Sequence, residues 1–297
     1  MFVRTSQKAV FSSLQGDLSE FFVWMRHPLL QTYKKELSML LYEVDFFAFM
    51  GQSNMAGRGL AEQAPTVPQW HGYEFRAITD LSTLHPITEP FGKDENLLSG
   101  IYEPGMKTGS LVSAFVNSCY QQTGVPIVGV SASKGGSSIA EWAPGSPFYS
   151  DAASRTRQCL IWLQNHHINV RYRSMVWCQG CTDGDLHTDP EVYYRKTRDM
   201  LSSFREECGL TRCFLIRIGN HRDLPALYVP IQEMQEKLAR EDPDVILVSR
   251  CFASFAAKGL MKDTFHYLQE GYNLAGEEAG TNTGKYLQSL SSQPDRN

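Results

Sequence analysis

Residues 46–57 read FFAFMGQSNMAG, an apolar run that ends in a glycine turn carrying a serine. A short run of bulky apolar residues closed by glycine is typical of a buried β-strand. In an open α/β sheet, a helix that begins just behind such a strand places its first residues at the carboxyl edge, among unpaired backbone N–H groups. Ser53 therefore lies where a nucleophilic serine is expected, although a plain helix cap fits the same turn.

The rest of the chain predicts the fold class. From residue 44 onward, short apolar runs alternate with longer amphipathic stretches, which indicates an α/β fold with a parallel sheet and helices on both faces. The predicted strands are residues 44–50, 126–131, 174–178, 212–218 and 244–249, and a closing helix is predicted over residues 267–280. Residues 65–105 are rich in proline and glycine and show no period, so we expect a long excursion that shapes a pocket.

Both ends of the chain differ from this central part. Apolar residues recur at three-to-four spacing within residues 1–43, which predicts an N-terminal helical extension packed on the main domain or, alternatively, a separate interaction module. Residues 281–297 have little to bury and predict a flexible tail. The expected organisation is therefore an extension over 1–43, a main α/β domain over 44–280 and a tail over 281–297.

Composition narrows the classes of partner. The 297 residues are 42% hydrophobic and 20% charged with a net charge of −4, so we expect neither nucleic acid nor an anionic membrane as partner. The apolar run at residues 21–25 is too short for a signal peptide or a membrane span. Seven cysteines without the spacing of a secreted disulfide domain favour reduced thiols and a cytoplasmic location. Oligomeric state has no signal in the sequence.

Chemically active residues follow several predicted strands. The second strand is followed by SKGGSS at residues 133–138, the third by QGCTD at 179–183, and the closing helix is preceded by DTFH at 263–266. Because the carboxyl ends of parallel strands share one edge of the sheet, we expect these segments to converge with the serine turn.

These residue types are those of serine nucleophilic catalysis. A serine hydroxyl needs an imidazole to take its proton, and the imidazole needs an acceptor on its other nitrogen. We expect His266 to face Ser53 through Nε2 and Asp263 to bind Nδ1. The backbone amides of Ser53 and of Gly135 or Gly136, together with the side-chain amide of Gln179, are the expected oxyanion donors.

Four blocks of sequence together resemble a known family. Residues 51–57, 135–142, 177–183 and 263–266 resemble the SGNH hydrolases, in the sialate O-acetylesterase and acetylxylan-esterase-like branch called carbohydrate esterase family 6. The resemblance implies a three-layer α/β/α sandwich, flavodoxin-like, with a five-stranded parallel sheet.

The resemblance also implies an activity and its residues. The implied reaction is hydrolysis of O-acetyl esters on sugars, such as acetylated xylan fragments or O-acetyl sialic acids, without a metal or organic cofactor. It implies Ser53 as nucleophile, His266 as base and Asp263 as its partner. It also implies oxyanion donors on Ser53, Gly136 and Gln179.

Two features separate the chain from related patterns. Met55 stands where the Gly-x-Ser-x-Gly elbow of the α/β-hydrolases has its last glycine, which favours the SGNH plan. The family's third block normally reads Gln-Gly-Glu, whereas this chain has Cys181 in place of the glutamate. The alternative to an active esterase is therefore a non-catalytic carbohydrate-binding or scaffolding relative.

Further residues near these blocks are candidates for substrate binding. Gln52 and Asn54 flank the serine, and both are expected to contact substrate. Trp142 is expected either to stack on a sugar face or to pack in the core. Asp183 is expected to contact sugar hydroxyls, and the acidic loop around it also suits a cation.

Two weaker patterns have alternative interpretations. Cys178 and Cys181 form a Cys-x-x-Cys pair, which also fits a redox pair or half of a zinc site. The segment Gly135–Ser137 also resembles a phosphate cradle, but it lacks the lysine and the spacing of a phosphate-binding loop. We expect no metal at either place.

Overall fold

The computed structural model of the protein describes residues 43–291. The predicted N-terminal helical extension lies outside the described residues, except for Glu43, which opens the first strand. The last residues of the predicted tail, 292–297, also lie outside them.

One mixed sheet forms the centre of the fold. Its strand order is β3-β2-β4-β1-β5-β6-β7, and all neighbouring strands are parallel except β2 and β3, which are antiparallel. The strands are β1 Glu43–Gly51, β2 Gly72–Arg76, β3 Asp80–Pro86, β4 Ile127–Ser133, β5 Asn169–Cys178, β6 Arg212–Ile216 and β7 Val245–Ser249. The five predicted strands correspond to β1, β4, β5, β6 and β7.

Two strands, β2 and β3, correct the prediction of a five-stranded sheet. Both lie in the excursion that the sequence indicated to be irregular. In β2 the core position Glu74 is a buried carboxylate that accepts a hydrogen bond from the Gly92 amide at 2.9 Å. The edge strand β3 is mostly exposed or half-buried. Neither strand therefore has the apolar alternation on which strand prediction depends.

Helices cover both faces of the sheet. They are α1 Ser53–Ala56, α2 Val112–Thr123, α3 Pro147–Asn165, α4 Cys181–Asp185, α5 Pro190–Cys208, α6 Val229–Glu241 and α7 Gln269–Ser291. Helices α2 and α7 pack together on one face, and α3 and α5 cover the other. The result is three layers, α/β/α. None of the helices between residues 43 and 291 is both long and apolar enough to cross a bilayer.

The central strand β1 is buried throughout its length after Glu43. Because successive side chains of a strand point to opposite faces, Phe47 and Phe49 share one face, where both rings pack edge-on against Phe115 of α2 at 5.4 Å between centroids. A strand buried on both faces reads as a continuous apolar run, which is why residues 46–50 were so strong a signal.

The closing helix is longer than predicted. Helix α7 continues to Ser291, and Thr283 and Leu287 are fully buried. Residues 281–291 are thus helix and not tail, which corrects the expected boundary. The sequence misled because this stretch has few large apolar residues, and the helix buries small and polar side chains where it packs on α2.

Candidate active site

A pocket of about 690 Å³ opens at the carboxyl edge of the sheet, beside the ends of β1, β4 and β5. In open α/β sheets this edge, next to the strand at which connections reverse direction, is the usual place for a ligand. The residues that line it are Gln52, Ser53, Arg58, Tyr102, Glu103, Pro104, Met106, Lys134, Gly135, Gly136, Cys181, Thr182, Asp185, Phe265 and His266.

Ser53 reaches this pocket through a tight turn at the end of β1. Gly51 has φ +137°, and a Cβ there would lie 2.1 Å from the carbonyl oxygen of Cys178, so this position requires glycine. The chain then begins α1 at Ser53. The Ser53 side chain lines the pocket although the residue is only 5% exposed.

The structure brings the three predicted catalytic residues together. Nε2 of His266 lies 2.9 Å from Oγ of Ser53, and Nδ1 of His266 lies 2.8 Å from Oδ2 of Asp263. The other carboxylate oxygen, Oδ1, accepts hydrogen bonds from the backbone amides of Phe265 at 3.0 Å and His266 at 2.8 Å. These bonds fix the Asp263–His266 turn and with it the orientation of the ring.

Asn54 ties the serine turn to the histidine turn. Its Nδ2 donates to the carbonyl of Phe265 at 3.0 Å, and its Oδ1 accepts from the Tyr272 hydroxyl at 2.8 Å. The side chain is buried and is not part of the pocket lining. The expectation that Asn54 contacts substrate is therefore corrected, because its polar atoms already bond to protein.

The pKa values of His266 and Asp263 suit a base and its ionised partner. Burial lowers the pKa of His266, and the positive charges of Arg58 and Lys262 lower it further. The Asp263 carboxylate raises it, but the net result is a lowered pKa. Burial alone would raise the pKa of Asp263, but hydrogen bonds from the Phe265 amide and from the ring and amide of His266 outweigh it, so its pKa is lowered. At neutral pH the imidazole is thus free to accept a proton beside an ionised carboxylate.

Two of the predicted oxyanion donors are accessible. Within residues 43–291, no acceptor binds the backbone N–H of Ser53 or of Gly136. Gly135 is different, because its amide donates to Oε1 of Glu103 at 2.8 Å. A Cβ at Gly135 would also lie 2.2 Å from Nη2 of Arg58, so only glycine allows the Arg58 side chain to pack this close to the backbone. The assignment of Gly135 as a donor is corrected accordingly.

Gln179 also does not present its amide to the pocket. The residue is fully buried, and its Nε2 donates to the carbonyl of Ser137 at 3.1 Å and to Oδ2 of Asp183. Both amide hydrogens are therefore used inside the protein, which corrects the expectation of a direct oxyanion contact. Gln179 instead holds the carbonyl of the residue after Gly136.

Trp142 and Asp183 are structural as well. Trp142 is fully buried, donates from Nε1 to Oγ of Ser137 at 2.9 Å and packs edge-on against Trp177. Asp183 is buried and accepts from the amide of Ile139 at 2.9 Å. Neither side chain lines the pocket. Trp142 therefore packs in the core, the second of its two expected roles, and the expected contacts of Trp142 and Asp183 with substrate are corrected.

Gln52 does line the pocket, next to Ser53. Its Oε1 accepts from the amide of Gly180 at 2.7 Å, which anchors the side chain to the end of β5. Its Nε2 has no acceptor in the part of the chain that the structure describes and stays available to a ligand. The predicted role of Gln52 in substrate binding thus remains a prediction.

Cys181, which replaces the family glutamate, forms part of the pocket wall. Its thiol is buried, and its sulfur accepts a hydrogen bond from Nδ2 of Asn54 at 3.8 Å. Burial raises the pKa of Cys181 to about 12, and burial also raises that of Cys178. A redox role would require a thiolate. Residues 43–291 contain no cluster of three or more His, Cys, Asp or Glu side chains suited to a metal ion.

Sequence analysis missed several pocket residues. Arg58 donates to Oε1 of Glu103 at 2.7 Å, and both side chains are largely buried. Glu103 comes from the excursion, where no periodic pattern pointed to a functional residue. Arg58 was within reach of the sequence, because it directly follows the glycine turn that carries Ser53.

The chain is similar to known proteins in family and in fold. A family model described as "Carbohydrate esterase, sialic acid-specific acetylesterase" matches residues 43–282. Among solved structures, a protein from Arabidopsis thaliana is 21% identical, with a TM-score of 0.63 over 84% of this chain and 98% of that one. A carbohydrate acetylesterase from Xanthomonas citri is 16% identical, with a TM-score of 0.51 over 82% of this chain and 57% of that one. No curated protein sequence matches.

The two structural neighbours support the fold, and the family match covers most of the chain. The three-layer α/β/α architecture is shared with these two neighbours, and the sheet of this chain has seven strands. The activity that the family supports is hydrolysis of a carboxylic ester of the O-acetyl kind. This chain belongs to the carbohydrate esterase family of sialic acid-specific acetylesterases.

Proposed function

We propose that the protein is a serine esterase that hydrolyses O-acetyl esters on carbohydrates through an acyl-enzyme on Ser53. The observation that carries the proposal is the continuous chain of contacts from Asp263 through His266 to Oγ of Ser53. This is the arrangement that nucleophilic catalysis by serine requires, with an acceptor, an imidazole and a hydroxyl in sequence.

In the first half-reaction, Oγ of Ser53 attacks the acetyl carbonyl carbon while Nε2 of His266 takes the hydroxyl proton. The carbonyl π electrons move to oxygen, and the amides of Ser53 and Gly136 stabilise that oxyanion. When the intermediate collapses, the bond to the sugar oxygen breaks and His266 returns its proton to that oxygen. The products are the free sugar hydroxyl and acetyl-Ser53.

In the second half-reaction, water attacks the acetyl carbon after giving a proton to His266. Collapse breaks the bond to Oγ of Ser53, returns the proton to that oxygen and releases acetate. Asp263 stabilises the imidazolium formed in each half-reaction and keeps the ring oriented. Each oxyanion donor in such sites contributes on the order of 10²–10³ in rate.

The rival function is a non-catalytic carbohydrate-binding or scaffolding relative, with Cys181 as the mark of lost chemistry. The contacts of Cys181 argue for catalysis, because the thiol bonds to neither Ser53 nor His266 within the described residues. Replacing the family glutamate therefore leaves the Asp263–His266–Ser53 chain assembled.

Turnover of 4-nitrophenyl acetate by the full chain and by Ser53→Ala tests the proposal. We expect hydrolysis by the native protein and a loss of at least about a thousandfold in the variant. Equal hydrolysis by both proteins would reject Ser53 as nucleophile. Acetate release from acetylated xylan fragments and from O-acetyl sialic acids then decides between the two sugar classes.

A further inference from the structure

The pocket is larger than an acetyl group needs. Its volume of about 690 Å³ lies within the roughly 300–1,000 Å³ of sites that hold whole small molecules. The lining is apolar on one side and charged elsewhere. Tyr102, Pro104 and Met106 come from one loop and present apolar surface, whereas Lys134 and Asp185 are charged.

Two large side chains of this loop are exposed beside the pocket. Tyr102 is 44% exposed and Met106 is 53% exposed, and both line the pocket. Large apolar side chains left open beside a pocket commonly mark a binding surface. We call Tyr102, Pro104 and Met106 the loop wall.

The loop wall is held in place by its buried neighbours. The amide of Ile101 donates to Oδ2 of Asp151 at 2.8 Å. Glu103 binds Arg58 and the Gly135 amide. Lys107 is buried and donates from Nζ to Oγ of Ser131 at 2.9 Å. Anchored residues thus flank the exposed ones, so the backbone that presents the exposed side chains is fixed and loses little entropy when a ligand binds.

The charged part of the lining keeps hydrogen-bonding capacity for a ligand. Nζ of Lys134 donates to the carbonyl of Gly135 at 2.9 Å, which leaves two of its three hydrogens. Asp185 is exposed and accepts from the Tyr228 hydroxyl at 2.6 Å through Oδ1, which leaves Oδ2. A ligand that fits this pocket therefore has both an apolar face and polar edges.

We propose that the loop wall is the subsite for the pyranose ring of the acetylated substrate, with Tyr102 as the side chain on which the ring stacks. This inference rests on the proposed esterase function and adds the side chain that positions the sugar ring of its substrate. A pyranose has a face of C–H groups and an edge of hydroxyls, which matches the lining. Trp142, the aromatic residue that the sequence pointed to, is buried and cannot serve.

Comparing a ring-bearing substrate with a ringless one tests the subsite. The substrates are a fully acetylated glucopyranose and ethyl acetate, with released acid followed by titration. For Tyr102→Ala we expect kcat/KM on the sugar ester to fall about tenfold, mainly through KM, because an aromatic contact of this kind is lost. Hydrolysis of ethyl acetate should stay within about twofold, because that substrate does not reach the loop wall.

Two variants provide matched controls. Tyr102→Phe keeps the ring and should behave as the native protein, which separates stacking from the hydroxyl. Trp70→Ala removes an aromatic that is 53% exposed and lies outside the pocket lining, so it should change neither substrate. An equal fall on both substrates in Tyr102→Ala, or no fall on the sugar ester, would overturn the subsite.

The two proposals fail in different ways. If neither ester is hydrolysed in a Ser53-dependent manner, the esterase function itself is wrong. If ethyl acetate is hydrolysed through Ser53 but acetylated glucopyranose is no better a substrate, the function stands and the subsite is rejected.

Discussion

Nδ2 of Asn54 donates a hydrogen bond of 3.0 Å to the carbonyl of Phe265, so the residue after the candidate nucleophile holds the residue before the candidate base. The two positions are 211 residues apart in the chain. The contact of 2.9 Å between Ser53 and His266 is therefore accompanied by a second bond between the same two turns.

This relationship predicts the effect of Asn54→Ala on catalysis. The variant should lower kcat on 4-nitrophenyl acetate by about tenfold to a hundredfold with little change in KM, because a small displacement of the base affects chemistry more than binding. Tyr272→Phe is the matched control, since it removes the bond to Oδ1 of Asn54 and leaves the bond to Phe265 intact. A native kcat in Asn54→Ala would contradict the positioning role.

Asp263→Asn should be far more damaging than its exposure implies. An amide at this position cannot balance an imidazolium, and it favours the wrong tautomer of His266, so kcat should fall by about 10²–10⁴. The change is nearly isosteric, and the oxygen that accepts from the Phe265 and His266 amides can be retained. Circular dichroism should therefore stay native. A kcat within threefold of native would show that His266 does not depend on Asp263.

The pH dependence follows from the lowered pKa of His266. The base must be neutral, so kcat/KM rises with pH through this pKa and is lost as pH falls below it. Because burial and the neighbouring cations lower the pKa, the acid limb should have its midpoint below about 6.5, the ordinary value for histidine. A midpoint above that value would show that its surroundings do not lower the pKa of His266.

Lys262, one of the cations that lower the pKa of His266, provides a directed test of the acid limb of the pH profile. Lys262→Gln removes a positive charge that lowers the pKa of His266, so the midpoint should move to higher pH. Activity should then fall at pH 6 and remain unchanged at pH 8. Lys285→Gln, in α7, is the control because its charge is not among those that act on His266. A shift to lower pH in Lys262→Gln would reverse the predicted sign.

Trp142→Phe should affect stability without affecting sugar binding. The variant leaves Oγ of Ser137 without its donor and opens space in a fully buried site, so the free energy of unfolding should fall by about 1–3 kcal/mol. Urea denaturation measures that loss. If KM for acetylated glucopyranose rises tenfold while stability is native, Trp142 contacts substrate after all.

The Cys181 thiol should be inert at neutral pH. Its pKa is raised to about 12, and the thiolate is the reactive form, so iodoacetamide should not reduce activity at pH 7. Cys181→Ser should change kcat/KM less than about threefold, since the thiol contacts neither Ser53 nor His266. Rapid inactivation that disappears in Cys181→Ser would show a reactive cysteine in the pocket.

What the sequence revealed and what it missed have separate physical causes. Strand β1 and its glycine turn were readable because a strand buried on both faces must be apolar and because Gly51 has no room for a side chain. The approach of Ser53 and His266 was readable from topology, since both follow elements that end at one edge of the sheet.

The misses involve polar residues whose partners are distant in sequence. Gln179 and Trp142 were chemically suitable for the site, but both hydrogen-bond to Ser137 and are buried. Glu103 and Tyr102 lie in a stretch without periodicity. The Glu103 side chain is buried and binds Arg58, whereas the Tyr102 side chain is exposed. Whether such a side chain is buried or exposed depends on residues that are distant in sequence, which local sequence patterns do not encode.

Covalent labelling tests most directly whether His266 activates Ser53 as the nucleophile. Intact-mass analysis after treatment with a fluorophosphonate should show one adduct on the native protein, located at Ser53 by peptide mapping. The adduct should be absent from Ser53→Ala and should form at least about a hundredfold more slowly in His266→Asn, because only an activated hydroxyl attacks the probe. Labelling of Ser53→Ala to the native extent, or of His266→Asn at the native rate, would contradict the account.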